Sequence, residues 1–183
     1  MLLAALLLVL VVLMGLMRVG GLSEAISPMP PRASDPAPQR GAVQESSVRD
    51  ALREEGYEQP FGTSDIEIRA NLGMRGKIAD FVGYHRETGR WLVAESKGGN
   101  IQDAFNQLSN TQKALSTKEP GSLGVTDLRL YLKPDQYAKL VSEPANIAGW
   151  RVQNGVLGWL EDKTKEWVFA EINGIRVFVF AAP

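Results

Sequence analysis

The sequence predicts an α/β fold in which helices flank a central mixed β-sheet. Three stretches carry that prediction. Ile78 to Lys97 reads as an apolar hairpin, Asn100 to Leu115 as a capped amphipathic helix following it, and Asp127 to Leu132 as a further strand.

The first element in chain order is the run Leu2 to Met17, apolar and uncharged. A membrane span takes roughly 20 apolar residues, and Val19 to Leu22 extend the run past Arg18. No basic residue precedes it and no clear small-residue cleavage site follows, unlike a secretory signal. Arg18, Arg32 and Arg40 all follow it, so the positive-inside rule places the C-terminal body in the cytoplasm. Residues 1–22 are therefore expected to form an N-terminal membrane anchor. A cleaved signal, or a start codon assigned too early, are the alternatives. Residues 23–42 are Pro-rich and poor in large apolar side chains, which predicts a disordered linker. The folded domain is then 43–183.

Within that domain, Ser47 and Asp50 mark a helix start, Val48, Ala51 and Leu52 give its apolar stripe, and Gly56 ends it. Ile66 and Ile68 alternate with polar residues, as in a half-buried strand. Gly89 turns the hairpin. Asn100 caps the next helix, whose inner face carries Ile101, Ala104, Phe105, Leu108 and Leu115. Pro134 opens a short helix to Val141. The closing stretch Glu166 to Ala182 reads as a hairpin turning at Asn173-Gly174.

Composition narrows the chemistry. The 183-residue chain is 44% hydrophobic, 22% charged, carries a net charge of −1, and has no cysteine and one histidine. Disulfides, thiol catalysis and Cys-ligated zinc are excluded. Any metal would be oxygen-ligated, which favours magnesium, manganese or calcium. No global field draws the protein to a polyanion.

The hairpin holds the charged residues that core strands do not explain. With the turn centred between Glu87 and Thr88, Asp80 falls opposite Glu95, and Lys97 projects to the same side as Glu95. Paired carboxylates repel and are costly to desolvate. A divalent cation between them reverses that sign. A structural ion pair with Lys97 is the alternative. A second Glu-x-Lys, Glu161-Asp162-Lys163, lies in a polar turn-like run and reads as a decoy.

Asp80, then Glu95-Ser96-Lys97 closing the next strand, then an amphipathic helix, resembles the PD-(D/E)xK nuclease superfamily. The resemblance covers about Ser47 to Leu132. It implies a restriction-endonuclease-like fold and Mg²⁺- or Mn²⁺-dependent hydrolysis of nucleic-acid phosphodiesters, DNA foremost. Asp80 and Glu95 would be metal ligands, and Lys97 would position the attacking water or stabilise the transition state. The resemblance also assigns an acidic residue on the preceding helix, for which Glu55 fits and Glu54 is the alternative, and a Gln on the following helix, Gln107. It is compatible with a homodimer. The residue before the acid, proline in the family motif, is Ala79, and the RecB-type tyrosine after the Gln is missing.

The remaining residues carry weaker signals. His85 reads as a solvated turn residue. Arg75, Lys77, Arg86 and Arg90 flank the hairpin as phosphate contacts or as an ordinary charged surface. The four tryptophans read as packing, since none lies in a stretch interleaved with Arg or Lys. An inactive nuclease-fold module, or a membrane-anchored interaction domain, remain as competing functions.

Overall fold

The computed structural model describes residues 37–122, 124–142 and 149–183. The expected anchor at 1–22 and the linker from 23 to 36 lie outside them. Among the described residues no helix is long and apolar enough to cross a membrane.

A first helix, α1 (Ala37–Glu54), begins inside the expected linker, ten residues ahead of the predicted start at Ser47. Pro38 falls in its first turn, where a missing N–H costs no helical bond. A two-residue strand, β1 (Tyr57–Glu58), leads to α2 (Asp65–Leu72). The strand expected around Ile66 and Ile68 is thus a helix. Ser64 accepts from the Glu67 amide while Glu67 reaches back to the Ser64 amide, and Gly73 closes the far end in the left-handed conformation at φ 68°. Only Ile68 and Leu72 face the core, and Ile66 is 77% exposed. Helical spacing therefore fits where the two-residue alternation does not.

The hairpin β2 (Phe81–His85) and β3 (Arg90–Lys97) follows. Its register pairs Phe81 with Ala94 and His85 with Arg90. That register extends to Asp80 opposite Glu95, as expected. His85 ends β2 half-buried and meets the Tyr57 ring edge-on at 5.4 Å, not in the turn. Helix α3 (Ile101–Lys118) is capped by the Asn100 side chain, and a strand β4 (Thr126–Leu132) and a helix α4 (Pro134–Ser142) follow.

Five further strands complete the sheet: β5 (Arg151–Gln153), β6 (Val156–Leu160), β7 (Trp167–Phe169), β8 (Glu171–Ile172) and β9 (Ile175–Ala181). Asn173 and Gly174 do turn a hairpin, with φ 53° and 78°, the double left-handed pair of a type I′ turn. Its β8 arm spans only two residues, because β7 leaves β9 and pairs with β6. Asn154-Gly155 builds a second such hairpin, β5–β6.

The sheet order is β1-β2-β3-β4-β9-β6-β5. Strands β3, β4 and β9 are parallel neighbours, and the outer pairs are antiparallel. Helix α1 packs Val48 and Leu52 on one face, against Phe81, Leu92 and Ala94. The other face packs Val82, Val93, Leu128 and Leu130 against apolar residues of α2, α3 and α4. The described residues form an α/β sandwich whose mixed sheet is apolar on both faces. Open sheets of this kind place their crevices at the carboxyl ends of parallel strands. Here those ends are Lys97-Gly98 after β3 and Leu132-Lys133 after β4.

Candidate active site

The carboxyl end of β3 brings Asp80, Glu95 and Lys97 together, as their spacing predicted. Asp80 lies one residue before β2, and its backbone N–H donates to Glu95 Oε2 at 3.2 Å. In return, the Ser96 amide donates to Asp80 Oδ2 at 2.8 Å. The two strand ends therefore hold the carboxylates side by side through reciprocal backbone bonds.

Helix α3 fixes the same strand end from below. Gln107 Nε2 donates to the Ile78 carbonyl at 2.7 Å, and the Ala79 amide donates to Thr111 Oγ1 at 2.8 Å. These two side chains stand one helical turn apart and satisfy the acceptor and the donor of the single Ile78–Ala79 peptide group, in the segment leading into Asp80. Ala79 spends its N–H on this bond, which a proline at that position could not do. With its amide nitrogen committed to Ile78, Gln107 presents Oε1 to Lys97, whose Nζ donates to it at 2.8 Å. Lys97 is thus held from two sides, since Nζ also lies 3.3 Å from Glu95 Oε1.

That ion pair does not neutralise the site. Glu95 is 1% exposed. Its burial, reinforced by the charge of Asp80, pushes the carboxyl up to about 9 in spite of Lys97. Burial likewise raises Asp80 to about 6, against the bond from the Ser96 amide, with the negative charge of Glu45 adding to the rise. A cluster selected as an ion-pair network would hold its carboxylates charged at neutral pH. Here Asp80 is largely ionised at neutral pH, whereas Glu95 favours a proton, or a cation in its place.

Glu55 does not belong to this cluster. It lies just beyond α1, largely exposed, with Oε2 2.6 Å from Arg129 Nη1 on β4. Glu54 is exposed as well. The carboxylate that α1 delivers is Glu45, which lines the same cleft as Asp80, Glu95 and Lys97. Both glutamates share the stripe of Val48 and Leu52. They differ by ten positions, about 15 Å along the helix axis. Burial raises the Glu45 carboxyl, with Asp65 contributing and Arg49 and Lys97 opposing. Sequence reasoning missed Glu45 because the helix was expected to start after it. The i, i+3, i+7 spacing of Glu45, Val48 and Leu52 was the available signal.

Lys133 is a second residue that spacing could not identify. It follows β4 and enters the cleft because β3 and β4 pair in parallel, Lys97 beside Leu132. Its stem passes directly over Gly98, where an added Cβ would stand 2.6 Å from Lys133 Cε. The cleft has a volume of about 350 Å³. Two buried polar atoms at its wall, Ser96 Oγ and Gln44 Nε2, have no partner among the described residues. Such groups are normally satisfied by water or ligand.

The donor set fits a divalent cation with a partly aqueous shell. Among the described residues no three acidic or imidazole groups converge into a closed metal cage. Magnesium does not require one, since it keeps several waters and takes one or two carboxylates plus substrate phosphate oxygens. Asp80 and Glu95 supply the two carboxylates, and Glu45 stands near enough to act on Asp80 electrostatically.

Of the four flanking basic residues, Arg75 is exposed and the other three form ion pairs. Lys77 pairs with Asp103, Arg86 with Glu58, and Arg90 with Asp127, all near the surface. The second Glu-x-Lys, at Glu161, lies in the exposed turn between β6 and β7 and joins no part of this cleft. No family model, no curated protein and no solved structure matches this chain.

Proposed function

We propose that this chain is a divalent-metal-dependent nuclease of the PD-(D/E)xK type, built on a restriction-endonuclease-like core. It would act on nucleic-acid phosphodiesters, DNA foremost, and residues 2–22 would tether it to a membrane. The observation that carries this reading is the meeting of Asp80, Glu95 and Lys97 at the carboxyl end of a parallel strand, with Gln107 holding the lysine.

The resemblance assigns the roles, and the geometry supports them. Asp80 and Glu95 would hold Mg²⁺ or Mn²⁺. When bound, the cation supplies Lewis acidity toward a phosphate oxygen and a more acidic water. Lys97, fixed by Gln107 Oε1, orients the attacking water and stabilises charge that develops on the phosphoryl oxygens. Water adds to phosphorus as the P–O ester bond breaks, and the leaving oxygen takes up a proton. Glu45 raises the negative potential at the carboxylate pair, and Lys133 offers a second cation to the phosphate.

The test is cleavage of supercoiled plasmid, linear duplex and RNA by the full chain, with Mg²⁺, Mn²⁺ or EDTA. Cleavage should require metal, disappear in Glu95→Ala, and fall by roughly 10²–10³ in Lys97→Ala, the usual loss for one transition-state donor. Absence of cleavage, with no metal-induced shift in melting temperature, would leave the cluster as an ion-pair network and sink the proposal.

A further inference from the structure

A separate cleft of the described residues lies elsewhere. Its volume is about 460 Å³, and Trp150, Trp159, Arg151, Lys165, Gln102 and Asp162 line it. Two tryptophan rings form its aromatic wall, and Phe105 packs on one of them. Phe105 of α3 lies 5.6 Å from Trp150, and Trp150 meets Trp159 edge-to-face at 5.5 Å. Trp150 is buried at 9%, whereas Trp159 is 36% exposed, an unusual position for so large an apolar ring. The wall therefore has a fixed inner part and an accessible outer one.

The cations come from two hairpins. Arg151 opens β5, opposite Gly158. Lys165 sits in the β6–β7 turn at φ 59°, a left-handed conformation that a non-glycine residue adopts only when its surroundings enforce it. The turn is held by the Lys165 amide donating to the Glu161 carbonyl at 2.8 Å, and by the Glu161 amide donating to the Glu166 carbonyl at 3.0 Å. Among the described residues no carboxylate pairs with Arg151 or Lys165, Asp162 included. The fold thus sets the consecutive pair Trp150-Arg151 in one cleft with Trp159 and Lys165.

Position adds the last element. Gln102, in the first turn of α3, borders this cleft, while Lys97 borders the carboxylate site. Only Gly98 to Ile101 separate them, at most about 18 Å of chain. A strand engaged at one cleft lies within reach of the other.

We propose that the Trp150–Trp159 cleft is a stacking subsite for an unpaired base of single-stranded nucleic acid, with Arg151 and Lys165 taking the adjoining phosphates. An aromatic face accepts any base, and flanking cations track the backbone without reading sequence. This deepens the nuclease reading, because it would give the enzyme a grip on a frayed or single-stranded flank beside the scissile bond.

The experiment separates the two ideas. The full chain is titrated in EDTA, so that nothing is cleaved, into a fluorescein-labelled oligothymidylate and into a duplex of equal length. Tryptophan quenching is followed alongside anisotropy. Trp159→Ala should weaken single-strand binding about tenfold, Trp159→Phe should restore most of it, and Lys165→Ala should lower its salt dependence. Glu55→Gln, outside both clefts, should bind the single strand as the parent does. Equal single-strand affinity in the parent and Trp159→Ala overturns the proposal, as does saturable binding of thymidine monophosphate without binding of the oligonucleotide. Plasmid cleavage is assayed in parallel. Cleavage with an inert Trp159→Ala keeps the nuclease and discards the subsite. A Trp159-dependent single-strand affinity without any cleavage keeps the subsite and discards the nuclease.

Discussion

Glu45 and Glu55 make a sharp comparison, because they occupy the same stripe of α1 and its extension but different environments. Glu45 lines the carboxylate cleft, and Glu55 pairs with Arg129 at the surface. Glu45→Gln should reduce metal-dependent cleavage roughly 10–100-fold, in the range of residues that tune metal ligands from behind. Glu55→Gln should leave cleavage intact and cost under about 1 kcal/mol, as exposed pairs do. Steady-state cleavage and urea midpoints of the two variants decide the assignment, and the reverse ranking would return Glu55 to the site. Gln107 is the second residue-scale test. Gln107→Leu leaves the Ile78 carbonyl and Lys97 Nζ without this partner. The unpaired groups should cost about 1–3 kcal/mol of stability. Because Lys97 is no longer held, cleavage should fall further than the loss of folded protein explains, which activity per folded molecule would show.

At the scale of elements, legibility followed the range of the interactions. The β2–β3 register was readable because a four-residue turn fixes it locally, and Asp80 opposite Glu95 followed. The cap at Asn100 and the turn at Asn173-Gly174 were readable for the same reason, each being a local backbone requirement. Two local signals were nevertheless misread. The Ser64–Glu67 capping box was present in the sequence, but two isoleucines in alternation outweighed it and gave a strand. Pro-rich composition hid the first turns of α1, and Glu45 with them. What no local signal could give is Lys133, which depends on parallel pairing between β3 and β4 across the whole of α3. That pairing also makes Gly98 an element-scale test. Its backbone accepts an alanine, but the new Cβ would meet the Lys133 stem, a flexible side chain that can swing away. Gly98→Ala should therefore keep its melting temperature within a few degrees and lose activity to the same degree as Lys133→Ala. The double variant should be no worse than either single one, the mark of one shared interaction. Additive losses would show that Lys133 and Gly98 act separately.

The whole molecule carries the cost of two carboxylates inserted into a sheet that is apolar on both faces, and that cost depends on pH. Glu95 titrates near 9 in the folded chain against an ordinary 4.5, and Asp80 near 6 against 3.8. A carboxyl whose folded value is raised stabilises the fold while protonated, with the full effect below the unfolded value. The stabilisation is lost as pH rises through the folded value. The metal-free protein should accordingly lose stability from about pH 4.5 toward pH 9, against the usual rise of acid-labile proteins over the lower part of that window. Glu95→Gln removes the larger part of this slope and should melt higher than the parent at pH 8. A divalent cation replaces the proton, so Mg²⁺ should raise the parent's melting temperature more at pH 8 than at pH 5.5, releasing protons as it binds. At a hundredfold excess over its dissociation constant the gain is about 2.7 kcal/mol, or roughly 5–10 °C for a chain of this size. Glu95→Gln should show little of it. Calorimetric melts of parent and variant at both pH values, with Mg²⁺ or EDTA, measure all of these terms together. A parent whose melting is flat in pH and indifferent to Mg²⁺ would mean that Lys97 neutralises Glu95 after all, and the sandwich would then bury an ion pair where the proposed enzyme needs a metal site.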